Sequence, residues 1–485
     1  MATITTESYQ LYINGRWTDA AGGKTFPVTN PATGEWIAEV ADAGAAEAEA
    51  AVRAAHEAFP AWSKRPADER AELLHAAFDL LKARIDEHAR LLTLENGKPL
   101  AESKGEATIG AAFVRWNAEE ARRTYGEVVP SPTIGKRVLT YRQPVGVVAA
   151  ITPWNFPYSM ITRKIAPALA AGCTVVLRPS SATPLVALEI IRAFDDAGFP
   201  AGVVNIVTSK SAVEVSKVLA ESPLVRKITF TGSTEVGKAL MAQAAGTVKK
   251  VSLELGGHAP MLIFDDADVE QAAQGAIMSR FRNAGQTCIC TNRLFVQRPL
   301  LESFSKRVAE LAAGLKVGNG LDPETKVGPM IDERGFAKVE DQVRDAVAGG
   351  ALVLAGGKPA ALNGGLKGYF YEPTILANVS PNAKILHEET FGPALPIIPF
   401  DTDEDGIRMA NDTPFGLAAY FYTRDIGRAF RVSEALEYGI VGVNDPVPTA
   451  PQIPFGGFKE SGLGRENGSM GIGEFLEVKA VTIGL

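Results

Sequence analysis

The sequence has few cysteines and histidines, and no hydrophobic run of membrane-spanning length. Its three cysteines, Cys173, Cys288 and Cys290, are too few for a disulfide framework and odd in number, which is typical of a reducing compartment. The five histidines are scattered without the spacing of metal ligands, so we expect no metal site. The longest apolar stretches, such as 145–151, are far shorter than the roughly 20 residues that cross a bilayer.

Clusters of a single charge are also missing. The 485 residues carry a net charge of −7 and no basic cluster, which argues against a nucleic-acid or anionic-membrane partner. The N-terminus, MATITTESYQ, lacks the basic start and apolar core of a secretory signal. These observations predict a cytoplasmic protein. A chain of this length is too long to fold around a single hydrophobic core, so we expect two or three domains.

What the sequence does contain is a regular alternation of strand and helix patterns. Helices are predicted over 45–62 and 67–95, and a hairpin over 125–143. From 145 onward, apolar strands such as VGVVAAIT and CTVVLRP alternate with helices, which predicts a parallel sheet covered on both faces. A second alternation runs from 254 to about 440. The tail, GEFLEVKAVTIGL, has strand character and needs a partner strand, for which another subunit is a candidate.

Cys288, in FRNAGQTCIC, is a candidate nucleophile. A lone cysteine is usually a buried structural residue, but this one lies in a polar, glycine-containing segment that does not resemble a core strand. A nucleophilic cysteine needs an accessible thiolate. We therefore expect the pKa of Cys288 to lie below the free value of about 8.5.

Glu254 and Asn155 are candidates for a general base and an oxyanion donor. Glu254 ends an apolar strand just before Gly256 and Gly257, which predicts a close approach of backbone or ligand. Burial would raise its pKa and suit it to act as a base, although a solvated glutamate is the simpler interpretation. Asn155, in TPWNFP, follows a strand at the edge where such sheets bind ligands. Its amide could stabilise an oxyanion, and a turn asparagine is the alternative.

The motif GSTEVG, residues 232–237, follows a strand and precedes a helix. The dinucleotide fingerprint G-x-G-x-x-G would require glycine where Thr234 stands, so the motif alone is a weak signal. It still places Gly232, Ser233 and free backbone N–H groups at a helix N-terminus, where a pyrophosphate is favoured. An ordinary strand–helix turn is the alternative.

Taken in order, TPWNFP, FTGSTEVG, LELGG, GQTC, EETFGP, NDTPFGLAAY and PFGGFKESGLGRE resemble the aldehyde dehydrogenase superfamily. The resemblance runs from about residue 10 to the C-terminus. It implies an α/β fold with a Rossmann-like cofactor domain (1–124 and 144–253), an α/β catalytic domain (254–440) and an oligomerisation hairpin. Residues 125–143 and 467–485 would form the contacts of a homodimer or homotetramer. Residues 441–466 would return to the cofactor domain and line the substrate pocket.

The same resemblance implies a role for each matching residue. Cys288 would attack an aldehyde, and Asn155 with the Cys288 backbone N–H would hold the oxyanion of the thiohemiacetal. Hydride would then pass to the nicotinamide of NAD or NADP. Glu254 would activate the water that hydrolyses the thioester to a carboxylic acid. The implied cofactor contacts are Trp154, Gly232, Ser233, Glu389 and Phe391.

Several stretches, among them FRNAGQTCICTNRLFVQ and ALEYGIVGVN, resemble succinate-semialdehyde dehydrogenases in particular. In that branch two arginines bind the substrate carboxylate, and the matching residues here are Arg163 and Arg282. The loop after Asn444 departs from the branch, with Thr449 at the position of a carboxylate-binding serine. The resemblance implies oxidation of succinate semialdehyde or a similar ω-carboxylated aldehyde. A different small or aromatic aldehyde is the alternative.

A second departure bears on the cofactor. Arg178 stands where the family typically has lysine, and Ser181 where an acid would bind the ribose hydroxyls of NAD. Arg178, helped by the hydroxyls of Ser180 and Ser181, could bind a 2′-phosphate. We therefore predict that NADP is preferred and NAD accepted. The alternative is that Arg178 only replaces the lysine and NAD remains adequate.

Other functions fit these motifs less well. A catalytically silent relative would be expected to lack Cys288, Glu254 or Asn155, and a CoA-acylating relative generally lacks the base. A Cys-x-Cys metal module needs four ligands, and no histidine is suitably spaced for one. Cys290, two residues from the nucleophile, is either merely tolerated or acts as the resolving thiol of a reversible oxidation.

Overall fold

The structure is a computed structural model that describes residues 8–362 and 365–485. Residues 1–7, which contain most of the N-terminal segment discussed above, lie outside the described residues. Within the described ranges, no helix combines the length and apolarity needed to cross a membrane.

Helices and strands alternate along most of the described chain. The helices are α1 (Ala45–Trp62), α2 (Ala67–Ala83), α3 (Ile85–Asn96), α4 (Leu100–Ala121), α5 (Pro157–Ala171), α6 (Leu185–Asp196), α7 (Ala212–Glu221), α8 (Thr234–Ala245), α9 (Val269–Phe281), α10 (Leu301–Ala313), α11 (Glu333–Ala348), α12 (Asp403–Asn411), α13 (Ile426–Ala435) and α14 (Gly468–Gly473). The strands are β1 (Ser8–Tyr9), β2 (Leu11–Ile13), β3 (Arg16–Thr18), β4 (Thr25–Thr29), β5 (Trp36–Ala41), β6 (Glu127–Val129), β7 (Lys136–Pro144), β8 (Val147–Ile151), β9 (Thr174–Arg178), β10 (Val204–Ile206), β11 (Val225–Thr231), β12 (Lys250–Glu254), β13 (Ala259–Ile263), β14 (Thr291–Gln297), β15 (Leu352–Ala355), β16 (Thr374–Ala377), β17 (Ala394–Phe400), β18 (Phe415–Gly416), β19 (Ala418–Tyr422), β20 (Ile440–Val443), β21 (Phe458–Lys459), β22 (Gly462–Leu463) and β23 (Leu476–Gly484).

The first large sheet has the strand order β22-β12-β11-β8-β9-β10-β2-β3, and its five strands from β12 to β10 are parallel. Alternate residues of β8 face opposite sides, because side chains alternate along a strand. Val148 and Ala150 pack in a hydrophobic cluster with residues of α5 and α6, while Val147 and Ala149 pack with residues of α1 and α7. Helices therefore cover both faces, as the continuously apolar strands predict.

The second large sheet has the order β15-β16-β17-β14-β13-β19-β20. All neighbouring pairs are parallel except β15 with β16. Cys288 lies just before β14, while Asn155 and Glu254 lie at or beyond the carboxyl ends of β8 and β12 in the first sheet. The candidate residues therefore come from segments that adjoin both sheets, and Asn155 and Cys288 line a common cavity.

The segment 125–143 forms the predicted hairpin, with β6 and β7 antiparallel. The tail strand β23 pairs antiparallel with β7 along its whole length, from Leu476 opposite Pro144 to Gly484 opposite Lys136. One edge of β23 therefore finds its partner in the same chain. Its other edge ends this sheet within the described residues, and a partner strand there from another subunit stays a prediction.

Two helices of the N-terminal region differ from expectation. The predicted helix 67–95 is broken into α2 and α3 at Arg84, whose φ of −101° and ψ of 10° leave the helical range. The 22-residue helix α4 was not predicted. Two glycines weaken its helical pattern, and one of them, Gly110, lies where a Cβ would be 2.3 Å from the Tyr158 ring. This glycine lets α4 and α5 pack closely.

The predicted α/β class is confirmed, with two mostly parallel sheets and an antiparallel hairpin unit. The exact domain boundaries given above stay a prediction.

Candidate active site

Cys288 lies where two cavities of the protein meet. Its side chain, 8% exposed, lines a cavity of about 300 Å³ and a second one of about 260 Å³. The larger cavity also contains Arg163, Arg282 and Thr449. The smaller one contains Trp154 and other predicted cofactor residues. Molecules bound in either cavity can therefore contact this sulfur.

The loop that delivers Cys288 has a left-handed backbone. Residues 283–285 all have positive φ, of 50°, 54° and 74°, a conformation that is costly for residues other than glycine. Hydrogen bonds hold it in place: the Asn283 N–H donates to Glu102 (2.8 Å), and the Asn283 side chain donates to the carbonyl of Asn155 (2.9 Å). The loop is thereby tied both to helix α4 and to the segment that carries Asn155.

Asn155 is buried, 4% exposed, four residues beyond β8. Its Nδ2 donates to the carbonyl of Gln286 at 3.1 Å, two residues before the nucleophile. An amide nitrogen carries two hydrogens, so one remains for an oxyanion formed at Cys288. The geometry suits the predicted role.

Glu254 ends β12 and is 3% exposed. Within the described residues, neither carboxylate oxygen has a hydrogen-bond partner of ordinary geometry, so both are free to accept a proton. Burial, reinforced by the charge of Glu466, raises the pKa of Glu254, as the sequence predicts. A raised pKa brings this carboxylate nearer to the value that suits a general base.

Glu466 lies between two cations. It forms ion pairs with Lys164 and with Arg163, the latter at 3.4 Å. Burial opposes its ionisation, but these two cations outweigh burial and hold the pKa of Glu466 below its usual value. Of these two carboxylates, Glu466 therefore stays ionised more readily, and Glu254 accepts a proton more readily.

The paired glycines after Glu254 mark close approaches, as predicted. A Cβ on Gly257 would lie 2.2 Å from the carbonyl oxygen of Cys288. A Cβ on Gly256 would lie 3.2 Å from both the Glu389 carboxylate and the Thr234 hydroxyl. Gly257 therefore lets the segment of the base approach the segment of the nucleophile. Gly256 leaves space in the smaller cavity.

The smaller cavity fits a nicotinamide dinucleotide by its chemistry. Helix α8 begins beside it, capped by Ser233, so its free N–H groups face the region where a pyrophosphate would lie. Trp154 and Phe391 form an edge-to-face pair with centroids 5.7 Å apart, which provides an apolar surface for a nicotinamide ring. The predicted cofactor residues in its lining are Trp154, Gly232, Ser233, Glu389 and Phe391.

Glu389 is held by the Gly257 N–H, which donates to its Oε1 at 3.1 Å. Burial raises the pKa of Glu389 to about 7, and the same N–H opposes this rise. Its carboxylate can accept hydrogen bonds from ribose hydroxyls at the position that the sequence predicts.

Arg178, Ser180 and Ser181 lie outside the two cavities, at and just beyond the carboxyl end of β9. Arg178 is buried, its Nε has no hydrogen-bond partner, and no carboxylate lies within ion-pair distance among the described residues. Burial lowers the pKa of this guanidinium to about 10. A buried cation without a counterion is a favourable place for an anion.

The larger cavity contains the three predicted substrate residues. Arg282 stacks over the Phe156 ring at 5.2 Å and has no ion-pair partner in the described part of the chain. Arg163 stacks over Phe455 at 4.3 Å while it also contacts Glu466. Of the two guanidinium groups, Arg282 is therefore the more available for a substrate anion.

Comparison with known proteins gives this site a context. A model of the aldehyde dehydrogenase family matches residues 17–481. The chain belongs to the aldehyde dehydrogenase family. A relative from Pseudomonas putida, named 3-sulfolactaldehyde dehydrogenase, is 53% identical over 98% of this chain and 97% of its own length. A succinate-semialdehyde dehydrogenase, NADP(+), of Escherichia coli strain K12 is 52% identical over 98% of both chains. A solved structure of an E. coli NADP dependent enzyme has a TM-score of 0.97 at 52% identity, covering 99% of this chain and 98% of its own.

One expectation about this aldehyde dehydrogenase is wrong. Burial, together with the carboxylates of Glu254 and Glu389, raises the pKa of Cys288 well above its usual value instead of lowering it. The cause is that the thiol is nearly enclosed and faces negative charges. Cys288 is therefore neutral at rest, and its proton must be accepted when it attacks.

Cys290 has different surroundings from Cys288. Its sulfur accepts a hydrogen bond from the buried Arg280 at 3.1 Å and donates to the carbonyl of Gly285 at 3.3 Å. It is not among the residues that line either cavity, and burial raises its pKa. A resolving role for Cys290 stays a prediction, and it requires this thiol to leave the Arg280 contact.

The sequence analysis missed several charged residues of the site. Glu102 and Glu106, one turn apart on α4, line the larger cavity, and Lys98 and Glu466 are buried beside it. One signal was present: Glu106 falls within the stripe of small and apolar residues that forms the buried face of α4. An acid in such a stripe needs a buried partner.

Proposed function

We propose that this aldehyde dehydrogenase oxidises a small aldehyde with an anionic group at its far end, succinate semialdehyde above all, to the acid with NADP. The observation that carries this proposal is that Arg163, Arg282 and Thr449 line the same cavity as Cys288. Guanidinium groups bind carboxylates through charge-assisted, often bidentate hydrogen bonds. A substrate with its aldehyde at Cys288 and its anion at Arg282 fits this arrangement.

The names of the relatives agree with an anionic substrate. Succinate semialdehyde carries a carboxylate, and 3-sulfolactaldehyde carries a sulfonate at the end opposite the aldehyde. A guanidinium recognises either anion. The acids Glu102 and Glu106 also line the cavity. Glu106 is neutralised by Lys98 at 2.5 Å, and burial raises the pKa of Glu102, which disfavours its charged form. The part of the cavity around Arg282 is therefore favourable for an anion.

The residues of the site support the following steps. The Cys288 sulfur adds to the aldehyde carbon as its proton leaves toward Glu254, and the Asn155 amide donates to the resulting oxyanion. The cofactor, when bound in the smaller cavity, supplies the hydride acceptor that turns the thiohemiacetal into a thioester. Glu254 releases the first proton to solvent and then accepts a proton from the water that attacks the thioester carbon. The C–S bond breaks, the acid is released, and the proton returns from Glu254 to the departing sulfur, which restores the thiol.

A panel of aldehydes tests the substrate class. Succinate semialdehyde, glutarate semialdehyde, a sulfonated aldehyde and neutral aldehydes of equal length are each assayed with NAD and NADP by absorbance of the reduced nicotinamide. We expect the anionic aldehydes to have the higher kcat/KM. Equal kcat/KM for neutral and anionic aldehydes would refute the proposal.

Arg282→Ala is expected to raise KM for succinate semialdehyde by roughly 10- to 100-fold, the equivalent of one charge-assisted contact worth about 1.5–3 kcal/mol. A neutral aldehyde of equal length should change by less than about threefold, because it makes no ionic contact with this side chain. Arg282→Lys is the matched control, because it keeps the charge but lacks the forked donors of a guanidinium. Its KM for succinate semialdehyde should lie between those of the wild type and Arg282→Ala. Equal losses with both substrates would show that Arg282 does not bind the anion.

The preference for NADP rests on Arg178 and its neighbours. A 2′-phosphate near the end of β9 would supply the counterion that this buried guanidinium lacks, and the hydroxyls of Ser180 and Ser181 could donate to the same phosphate. A small neutral residue at 181 neither repels the phosphate nor holds the ribose hydroxyls of NAD as an acid would.

Ser181→Glu is expected to shift the ratio of kcat/KM values toward NAD by at least about tenfold, or about 1.4 kcal/mol. The introduced carboxylate repels the 2′-phosphate and accepts hydrogen bonds from the hydroxyls of NAD. Ser181→Ala, which removes the hydroxyl without adding charge, should change the ratio far less. A wild-type preference of tenfold or more for NAD would contradict the proposal.

We further propose a homodimer or homotetramer in the cytoplasm. The interface is supported by exposed apolar side chains on the sheet of β6, β7 and β23, among them Val128, Tyr141, Val478 and Ile483. The proposal of a cytoplasmic location has separate support, because the three cysteines are free thiols, as a reducing compartment favours. Light scattering after size exclusion gives the mass, and a monomer at micromolar concentration would exclude the assembly.

A further inference from the structure

A fully buried lysine lies next to the site without lining either cavity. Lys98 is 1% exposed, and its Nζ lies 2.5 Å from Glu106 Oε2 and 2.6 Å from the carbonyl oxygen of Asn155. The same ammonium lies 3.9 Å from the centroid of the Phe156 ring. Lys98 thus contacts the carboxylate of one helix and the backbone of the segment that carries the oxyanion donor.

The carboxylate partner is itself fixed at its second oxygen. Glu106 Oε1 accepts from the backbone N–H groups of Tyr158 (2.9 Å) and Ser159 (3.2 Å) in the first turn of α5. A carboxylate at this position is stabilised by the free N–H groups and by the helix dipole. Glu106 therefore joins α4 to α5, and Lys98 connects that junction to the residues just before α5.

These contacts decide the orientation of Asn155. Its carbonyl oxygen accepts from the Lys98 ammonium and from the Asn283 side chain at 2.9 Å. Fixing the carbonyl fixes the peptide plane, and with it the direction in which the Asn155 side chain leaves the backbone. The amide then reaches the carbonyl of Gln286, and Asn155 lines the same cavity as Cys288.

Stability alone is a weak reason for such a pair. A buried ion pair often contributes little to folding, since the cost of removing both charges from water offsets their attraction. We propose that Lys98, through its ion pair with Glu106, is a positioning residue that holds the Asn155 amide in the geometry that stabilises the oxyanion. This inference rests on the proposed function for the role of Asn155.

The inference is tested with a double-mutant cycle on the full-length enzyme: Lys98→Met, Asn155→Ala and the two combined. Asn155→Ala is expected to lower kcat by about 10²–10³, the loss for one oxyanion donor. Lys98→Met should lower kcat by at least about tenfold, since small misplacements at a reacting centre reach about 10². KM for NADP should change less than twofold. The combined variant should be no slower than Asn155→Ala, because Lys98 acts only through that amide.

Lys104→Met is the matched control. This lysine lies on α4 but is exposed and pairs with Asp86, so its loss should leave kcat unchanged. A fully additive double variant, or an unchanged kcat in Lys98→Met, would overturn the inference. If Lys98→Met does not fold, as judged by thermal unfolding, the same cycle is run with Lys98→Gln, whose amide keeps a donor and should lose less activity.

Hydrolysis of p-nitrophenyl acetate separates this inference from the proposed function. This reaction uses the same thiol and oxyanion donor but needs neither aldehyde nor cofactor. The same pattern of losses should therefore appear in ester hydrolysis. A wild-type enzyme that oxidises no aldehyde would refute the proposed function while a non-additive cycle on the ester still supports Lys98. An active dehydrogenase with an additive cycle would refute the role of Lys98 alone.

Discussion

Replacing Cys288 by alanine is expected to reduce aldehyde-dependent formation of NADPH to background. No other thiol can take its place, because Cys290 contacts Arg280 and lines neither cavity, while Cys173 is buried just before β9. Cofactor binding should persist, since the aromatic pair at the smaller cavity remains. The measurements are NADPH absorbance with succinate semialdehyde and quenching of tryptophan fluorescence by NADP.

Cys173→Ala is the control for loss of a thiol as such. Its sulfur donates to the carbonyl of Phe475 at 3.3 Å, within the core of the first sheet and away from the two cavities. Its kcat should match the wild type once the folded fraction is equal. Near-normal turnover in Cys288→Ala would show that the nucleophile has been assigned to the wrong residue.

Glu254→Gln is expected to slow turnover by about 10²–10⁴, the usual contribution of a general base. The loss should fall mainly on hydrolysis of the thioester, because water is a far weaker acid than a thiol and depends more on a base. A burst of about one NADPH per active site should precede the slow steady state. Mass spectrometry of quenched enzyme should find the acyl group on Cys288. Slow turnover with no burst would assign Glu254 to the attack step instead.

The pH dependence of the wild-type enzyme follows from the same carboxylate. Burial and Glu466 raise the pKa of Glu254, and only its ionised form accepts the proton of water. Deacylation should therefore be fast above this raised pKa and be lost as pH falls through it, at a pH above the ordinary glutamate value of about 4.3. In Glu254→Gln this acidic limb should disappear. A limb that survives in the variant would belong to another group.

The ordered motifs carried the prediction of the family and of the α/β class, both of which the comparisons and the structure confirm. Apolar strands are a local pattern, so β8 and β9 were predicted within a few residues of their observed bounds. Helix α4 was missed since its glycines weaken the local signal, and only its packing against α5 shows why Gly110 is there.

The charged surroundings of the site could not be predicted from the sequence. The thiol of Cys288 was predicted to have a lowered pKa, yet its enclosure and the nearby carboxylates of Glu254 and Glu389 raise it. Desolvation depends on how completely distant segments cover a group, and no motif records that. The tail strand was likewise recognised as a strand, but its partner β7 became known only from the folded chain.

The sequence by itself determined the family, the fold class and the candidate residues Cys288, Glu254 and Asn155, because these depend on residue types in a fixed order. Tertiary structure alone decided that Cys288 lines two cavities and that burial, with the charge of Glu466, raises the pKa of Glu254. It also decided that the buried Lys98 contacts the segment of the oxyanion donor. The physical reason is that burial and charge act through space, across segments that are far apart in the chain.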